Sequence, residues 1–203
     1  LLEGLKRLEY RGYDSAGIAL LSEKSGKLQQ LRSVGKVRKL SDTITKRRLQ
    51  GTIGIAHTRW ATHGKPSVKN AHPHVSQNEI AIVHNGIIEN HELLRSRLTE
   101  RGYEFKTETD SEVIAHLIHH EKKNGKVSFL KSVIRALGKL KGAYGICAID
   151  NSNRDQIIVA RSGSPIVIGV GIGENFIASD PLALGHVTDR FIYLEEGDIA
   201  QVT

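Results

Sequence analysis

Apolar positions recur along this chain with two different periods, and the switch between them sorts it into regions. Leu1, Leu2, Leu5 and Leu8 share one stripe at helical spacing with no capping residue ahead of them, so the pattern reads as a helix whose start lies upstream. The turn-rich string YRGYDSAGIAL (residues 10–20) leads into a strand expected over 17–22. Ser25 and Gly26 signal a turn, and residues 28–34 read as the returning strand of a hairpin. In VRKLSDTITKRRL (residues 37–49), Val37, Leu40 and Ile44 mark one helical face and the basic residues the other. Residues 52–58 are apolar on both faces, the pattern of a strand inside a covered sheet.

The Gly, Pro, Asn and His content of residues 60–77 predicts a loop, and residues 79–83 a second buried strand ending at Asn85-Gly86. By local propensity Asn-Gly is a hairpin signal, yet the segment after it turns helical. Asn90 is the expected N-cap, Leu93, Leu94 and Leu98 the shared face, and Gly102 the stop. TETDSEVIAHLIHH (residues 107–120) opens a further helix with Val113, Ile114, Leu117 and Ile118 as its buried stripe. Thr109 and Glu112 have capping-box spacing, which makes Thr109 the expected N-cap and leaves the Asp110 carboxylate pointing outward at the positive end of the helix dipole. A third helix is expected over 127–140, then strands over 144–149, 156–161, 166–170, 175–178, 191–194 and 199–202. Many strands joined by short turns, with the helices grouped between them, predict an α+β layered domain of antiparallel sheets. The 203 residues suffice for one domain with a full core, and no repeat or linker divides them.

Composition narrows the class. Apolar residues make up 39% and charged ones 25%, ordinary values for a globular protein. No apolar run approaches the ~20 residues of a membrane span, nothing at the start reads as a signal peptide, and the single Cys fits a reducing cytoplasm without a disulfide framework. The net charge of +7 comes from residues 1–50, with 12 Lys/Arg against 5 Asp/Glu, while the remainder carries 17 of each. No aromatic residues interleave with the basic helix, so it reads as a solvated face, with no nucleic acid expected as partner.

Candidate chemistry concentrates in residues 53–86. Six of the ten histidines fall between His57 and His91, beside Arg59 and the only Trp, Trp60. A guanidinium at a buried strand end needs an anion. A zinc or iron hydrolase built on His72 and His74 with His57, His63 and His84 is one reading. Against it, no carboxylate stands near His72 and His74 at metalloenzyme spacing, and the intervening Pro73 is expected to send the two rings to opposite sides; no metal is expected. Gly169, Gly171 and Gly173 lie between two strands with no following helix to hold a pyrophosphate. Cys147 sits mid-strand, where a thiol packs with a raised pKa.

YRGYDSAGIA (10–19), HTRWATHG (57–64), NAHPH (70–74), HNGIIEN (84–90), TDSE (109–112), SGSP (162–165) and LEEGDIA (194–200) occur in the order seen in the glutaminase domains of glucosamine-6-phosphate synthases. Over essentially its whole length the chain resembles this glutamine:fructose-6-phosphate amidotransferase family, which belongs to the class II, N-terminal-nucleophile amidotransferases. The resemblance implies a four-layer αββα sandwich and hydrolysis of the glutamine amide through a thioester on an N-terminal cysteine. That cysteine's own α-amine, titrating near about 8, serves as base. Roughly fifteen residues, the cysteine first, are then expected ahead of Leu1, in keeping with the uncapped helix, and the chain alone is expected to be inactive.

The resemblance also implies roles for individual residues. Arg59 would hold the substrate α-carboxylate and Asp110 its α-ammonium; Trp60, Thr62 and His63 would line the pocket. The Asn85 amide and the Gly86 N–H would form an oxyanion hole, and Arg11 would sit near the cysteine. It implies no cofactor. The partners would be L-glutamine and the protein's own C-terminal sugar isomerase domain acting on fructose 6-phosphate, in a homodimeric cytoplasmic enzyme without membrane contact. HTRWATHG and NAHPH point to the hexosamine enzyme among relatives that share the fold; the glutaminase part of another class II amidotransferase and a His-rich metal hydrolase remain as alternatives.

Overall fold

A computed structural model describes residues 1–47, 49–60 and 64–203. In chain order the elements are α1 (Leu2–Leu8), β1 (Ser15–Leu21), β2 (Leu28–Val34), α2 (Val37–Arg47), β3 (Ile53–Arg59), β4 (His74–Ser76), β5 (Ile80–Ile88) and α3 (His91–Thr99). Next come α4 (Glu112–Gly125), α5 (Phe129–Leu137), β6 (Gly142–Asp150), β7 (Asn153–Ser162), β8 (Val167–Val170), β9 (Asn175–Ala178), β10 (Phe191–Tyr193) and β11 (Ile199–Val202).

The strands form three sheets, ordered β2-β1-β3, β11-β7-β6-β5-β4 and β10-β8-β9, with antiparallel pairing between neighbours. β1 is buried along its whole length because both faces are covered. Its alternation decides which residue goes where. Ala16, Ile18 and Leu20 face outward to Leu5 of α1 and Val37 and Leu40 of α2. Ala19 and Leu21 face inward with Ile55, against Ala81, Val83 and Ile149 of the five-stranded sheet. The other face of that sheet, through Ile80, Ile82, Ile146 and Ile158, packs on Val113, Ile114 and Ile118 of α4 and Phe129 and Val133 of α5. The layers therefore run helix, sheet, sheet, helix, the four-layer αββα arrangement that the family resemblance implied. The third sheet lies in the same layer as the first: Ile168 packs inward on Val159 and Val202, and Val167 packs outward with Ala183, Leu184 and Leu8 of α1.

Several expectations shift. The short strand β4 lies inside the expected loop, and Asn85-Gly86 makes no hairpin turn: β5 stays paired with β6 from Ile80↔Asp150 to Ile88↔Gly142. Helix α4 starts at Glu112 with Ser111 in the cap position, and no capping box forms with Thr109. Glu112 instead accepts the backbone N–H of Lys106 and Thr107 and the Thr107 hydroxyl, because the Thr107 donors, in the loop ahead of the helix, would otherwise be buried without partners. Asn90 precedes α3 without capping it by side chain; its amide donates to Lys139 O and accepts from Lys141 N–H, each at 2.9 Å, tying α3 to the entry of β6. Leu94 and Leu98 are buried, whereas Leu93 is exposed, since one face of so short a helix reaches the core. Among the described residues no helix is long and apolar enough to cross a membrane.

Ile114 is fully buried where α4 meets the sheet. Ile114→Ala should cost about 3 kcal/mol, read as a lowered urea midpoint at unchanged slope; a loss below about 1 kcal/mol would show that α4 does not close this core.

Candidate active site

Two strand segments bring the polar residues together. Arg59 ends β3 opposite Ser15 of β1 and is buried, with its Nη2 donating to Gly64 O at 3.4 Å. Burial lowers the guanidinium pKa, while the carboxylates of Asp14 and Asp110 raise it. The two carboxylates thus favour the charged form of this buried strand-end cation. Asp110 does not point outward as its helix-terminal position suggested. It is buried, its Oδ2 accepting the Ile88 N–H at 2.8 Å and its Oδ1 the Ser111 hydroxyl at 3.3 Å. The reason is that α4 begins two residues later, which leaves Asp110 in the preceding turn beside the end of β5.

Asn85 and Gly86 lie within β5, opposite Gly145 and Tyr144 of β6. Gly86 has φ +130°, and a Cβ there would meet Ala143 O at 2.0 Å, so the strand adopts this kink only because the position has no side chain. Asn85 places Oδ1 2.8 Å from His57 Nε2.

The histidines pack against one another. The rings of His57 and His72 stack at 4.3 Å, and those of His72 and His74 meet edge to face at 4.4 Å. The expected divergence of His72 and His74 is not seen, because Arg32 and Gln30 of β2 gather the carbonyls of Lys69, Ala71 and Pro73 and fold this segment back on itself. His74 Nε2 lies 3.2 Å from the Thr109 hydroxyl, and His84 Nδ1 2.8 Å from that of Ser111. Burial pushes His57 down to about 4 and His74 to about 3, and it lowers His72 and His84 as well. Among the described residues no group of three or more His, Cys, Asp or Glu could hold a metal ion. Burial likewise lifts the Cys147 thiol to about 12, leaving it a packing residue.

One cavity of about 1040 Å³ is lined by Arg11, Arg59, Trp60, Asn85, Gly86 and Asp110. These are all the expected site residues that the structure describes; Thr62 and His63 lie outside the described residues. Trp60 is exposed at the mouth with its ring edge on Tyr13 at 5.9 Å. Arg11 donates to the Ser179 hydroxyl at 3.3 Å and lies 3.8 Å from Asp180. The cavity is larger than one amino acid needs because it continues as a slot. β3 and β9, each the last strand of its sheet, form the two sides, and Val83, Cys147 and Ile157 the floor. Sequence reasoning weighed His57 only as a metal ligand and did not single out Ser111; the period-2 alternation that puts both His57 and Arg59 on one face of β3 was the available signal for His57.

The family model for the glutamine amidotransferase domain matches residues 57–185. The glutamine–fructose-6-phosphate aminotransferase (isomerizing) of Idiomarina loihiensis is 60% identical over 202 residues, all of this chain and 33% of that protein. Those of Yersinia pseudotuberculosis and Pseudomonas aeruginosa are 61% and 58% identical with the same coverage. The chain therefore spans about a third of the length of the curated relatives it matches. Among solved structures, the glutamine phosphoribosylpyrophosphate amidotransferase from B. subtilis aligns with TM-score 0.80 at 28% identity, over 98% of this chain and 43% of that one. An allosteric regulatory enzyme of purine biosynthesis aligns with TM-score 0.83 at 29% identity and the same coverage.

Gly86→Ala should destabilise by about 2 kcal/mol or more through strain at positive φ and the contact with Ala143; an unchanged melting temperature would contradict the kink. Because the folded state holds His57 at about 4 against an ordinary 6.5, the unfolded chain binds more protons between those values, and stability rises with pH through that window. The urea midpoint should thus be flat above pH 7 and fall on acidification from about 6.5 to about 4, less steeply in His57→Gln; no fall in that range would mean these rings are charged when folded.

Proposed function

The chain belongs to the glutamine amidotransferase domain family, and from that premise we propose that it is the glutaminase part of a glutamine–fructose-6-phosphate aminotransferase. The observation that carries this reading is the meeting of Arg59, Asp110, Asn85 and Gly86 in one cavity. Identities near 60% to the fructose-6-phosphate enzymes, against 28–29% to the purine-pathway enzymes, favour the hexosamine reaction.

In this reading Arg59 takes the α-carboxylate of L-glutamine by a bidentate, charge-assisted pair. Asp110 takes the α-ammonium with the carboxylate that Ile88 N–H and Ser111 already orient. Together they select a free amino acid over a peptide amide. Trp60 covers the mouth, with Thr62 and His63 as further lining. The nucleophile is an N-terminal cysteine on a segment ahead of Leu1. The dimensions support this reading: seven extended residues span about 23 Å, and the cavity beside the seven-residue strand β3 is lined by Leu1 as well as by Arg59 and Asn85. Paired with β3 and β9, it would join two sheets into one and bring its first residue to Asn85, with Arg11 beside it.

The α-amine of that cysteine removes the thiol proton and the sulfur attacks the side-chain amide carbon. The Asn85 amide and the Gly86 N–H stabilise the resulting oxyanion, a contribution of about 3 kcal/mol per donor. As the intermediate collapses, the α-ammonium returns its proton to the leaving nitrogen, which departs as ammonia and leaves a thioester; water then cleaves the carbon–sulfur bond to give glutamate and the free thiol. The ammonia passes to a sugar isomerase domain carried by the rest of the protein, where fructose 6-phosphate accepts it. The whole enzyme is read as a cytoplasmic homodimer.

The test is glutamate release from glutamine by the protein extended through its natural upstream residues to the cysteine. The extended protein should be active, and Arg59→Ala should lower kcat/KM by about 10²-fold or more, since a buried charge pair is lost. Equal activity with Ala at position 59 would refute the pocket.

A further inference from the structure

We infer that His57 is a positioning residue for the reaction, its Nε2–H holding Oδ1 of Asn85 so that the amide NH2 faces the cavity. This rests on the amidotransferase reading and adds to it the group that decides which end of Asn85 meets the oxyanion. An amide turned by half a rotation would present its own oxygen to the developing negative charge and repel it. The hole is therefore only as good as whatever fixes that torsion.

The surroundings of each ring nitrogen locate the proton. His57 Nε2 lies 2.8 Å from Asn85 Oδ1 and the His84 backbone carbonyl is a second acceptor beside the ring, while Nδ1 is buried and makes no hydrogen bond of good geometry to a described residue. A neutral imidazole carries one N–H. A buried N–H without an acceptor costs more than a buried lone pair without a donor, and unpaired N–H groups are correspondingly rarer. The proton therefore sits on Nε2, and Asn85 must turn its oxygen toward it. Asn85 Nδ2 makes no hydrogen bond to a described residue, and Asn85 lines the cavity opposite Gly145, which has no side chain to fill the space. Burial keeps the ring neutral near pH 7.

The ring is itself held in place. His72 stacks on it at 4.3 Å, and His72 Nδ1 accepts the His84 N–H at 3.4 Å, which fastens the stack to β5 one residue before Asn85. Gly17, directly across from His57 in the β1–β3 pairing, admits this arrangement, since a Cβ there would lie 2.1 Å from His72 O.

Two measurements test the assignment. Long-range proton–nitrogen correlation on the labelled 203-residue chain, with the His57 signals identified by their loss in His57→Gln, should give the Nε2–H tautomer; an Nδ1–H tautomer overturns the proposal. In the upstream-extended protein, His57→Ala should lower kcat for glutamine about 10- to 100-fold, because one oxyanion donor is worth about 10²–10³ and a freely turning amide keeps part of it. KM and glutamate affinity should stay within about twofold, while affinity for the aldehyde analogue of glutamine, which forms a tetrahedral adduct on sulfur, should fall in parallel with kcat. His57→Gln, whose amide also donates, should recover most of the rate. An unchanged kcat in His57→Ala, or an effect confined to KM, sinks the positioning role while leaving the amidotransferase reading intact. If the extended wild-type protein releases no glutamate, that reading fails, and the tautomer still decides how Asn85 is oriented.

Discussion

The cavity exists because β5 stays paired with β6 through Asn85 and Gly86. A hairpin at this dipeptide would have carried Asn85 to a loop tip and Ile88 away from Asp110. Continued pairing instead delivers an amide, a kinked backbone and the Ile88 N–H along one strand at fixed spacing, and the Ile88 N–H fixes the Asp110 carboxylate. The pairing is stabilised by the layer outside it: Ile80, Ile82 and Ile88 are buried under α4, so releasing the strand would expose the largest apolar cluster of the described residues.

A polar site between two sheets must satisfy its groups without bulk water, and this fold does so by pairing within short reach. Arg59 lies in the field of the Asp14 and Asp110 carboxylates, Asp110 accepts a backbone N–H and a hydroxyl, and Glu112 accepts three donors in the loop ahead of its helix. The four histidines are kept neutral by burial, so they behave as flat packing surfaces with a directed N–H. Among the described residues, a segment so rich in histidine therefore forms no group of three or more His, Cys, Asp or Glu that could hold a metal ion.

The layering places this pocket at the mouth of a slot bounded by the edges of two coplanar sheets. An open sheet edge is a ready template for another strand.

Much of the architecture is legible in the sequence. The period-2 runs gave β2, β9 and β11 to the residue, and helical stripes gave the five helices with ends displaced by a few positions, because those signals report burial, which side-chain alternation records directly. Six of the eight residues that the family strings singled out line one cavity, and the other two, Thr62 and His63, lie outside the described residues. What local patterns misjudged were the Thr109 cap, the outward Asp110, the exposed Leu93 and the divergence of His72 from His74. Each of these depends on a partner distant in the chain, as does the Asn85–His57 contact. The sequence by itself determined which segments are strands and helices and which residue types gather at the strand ends. Only the tertiary structure decided which donor faces which acceptor, because a buried polar group is satisfied by whatever the packing of other segments brings within about 3 Å, and no local period encodes that.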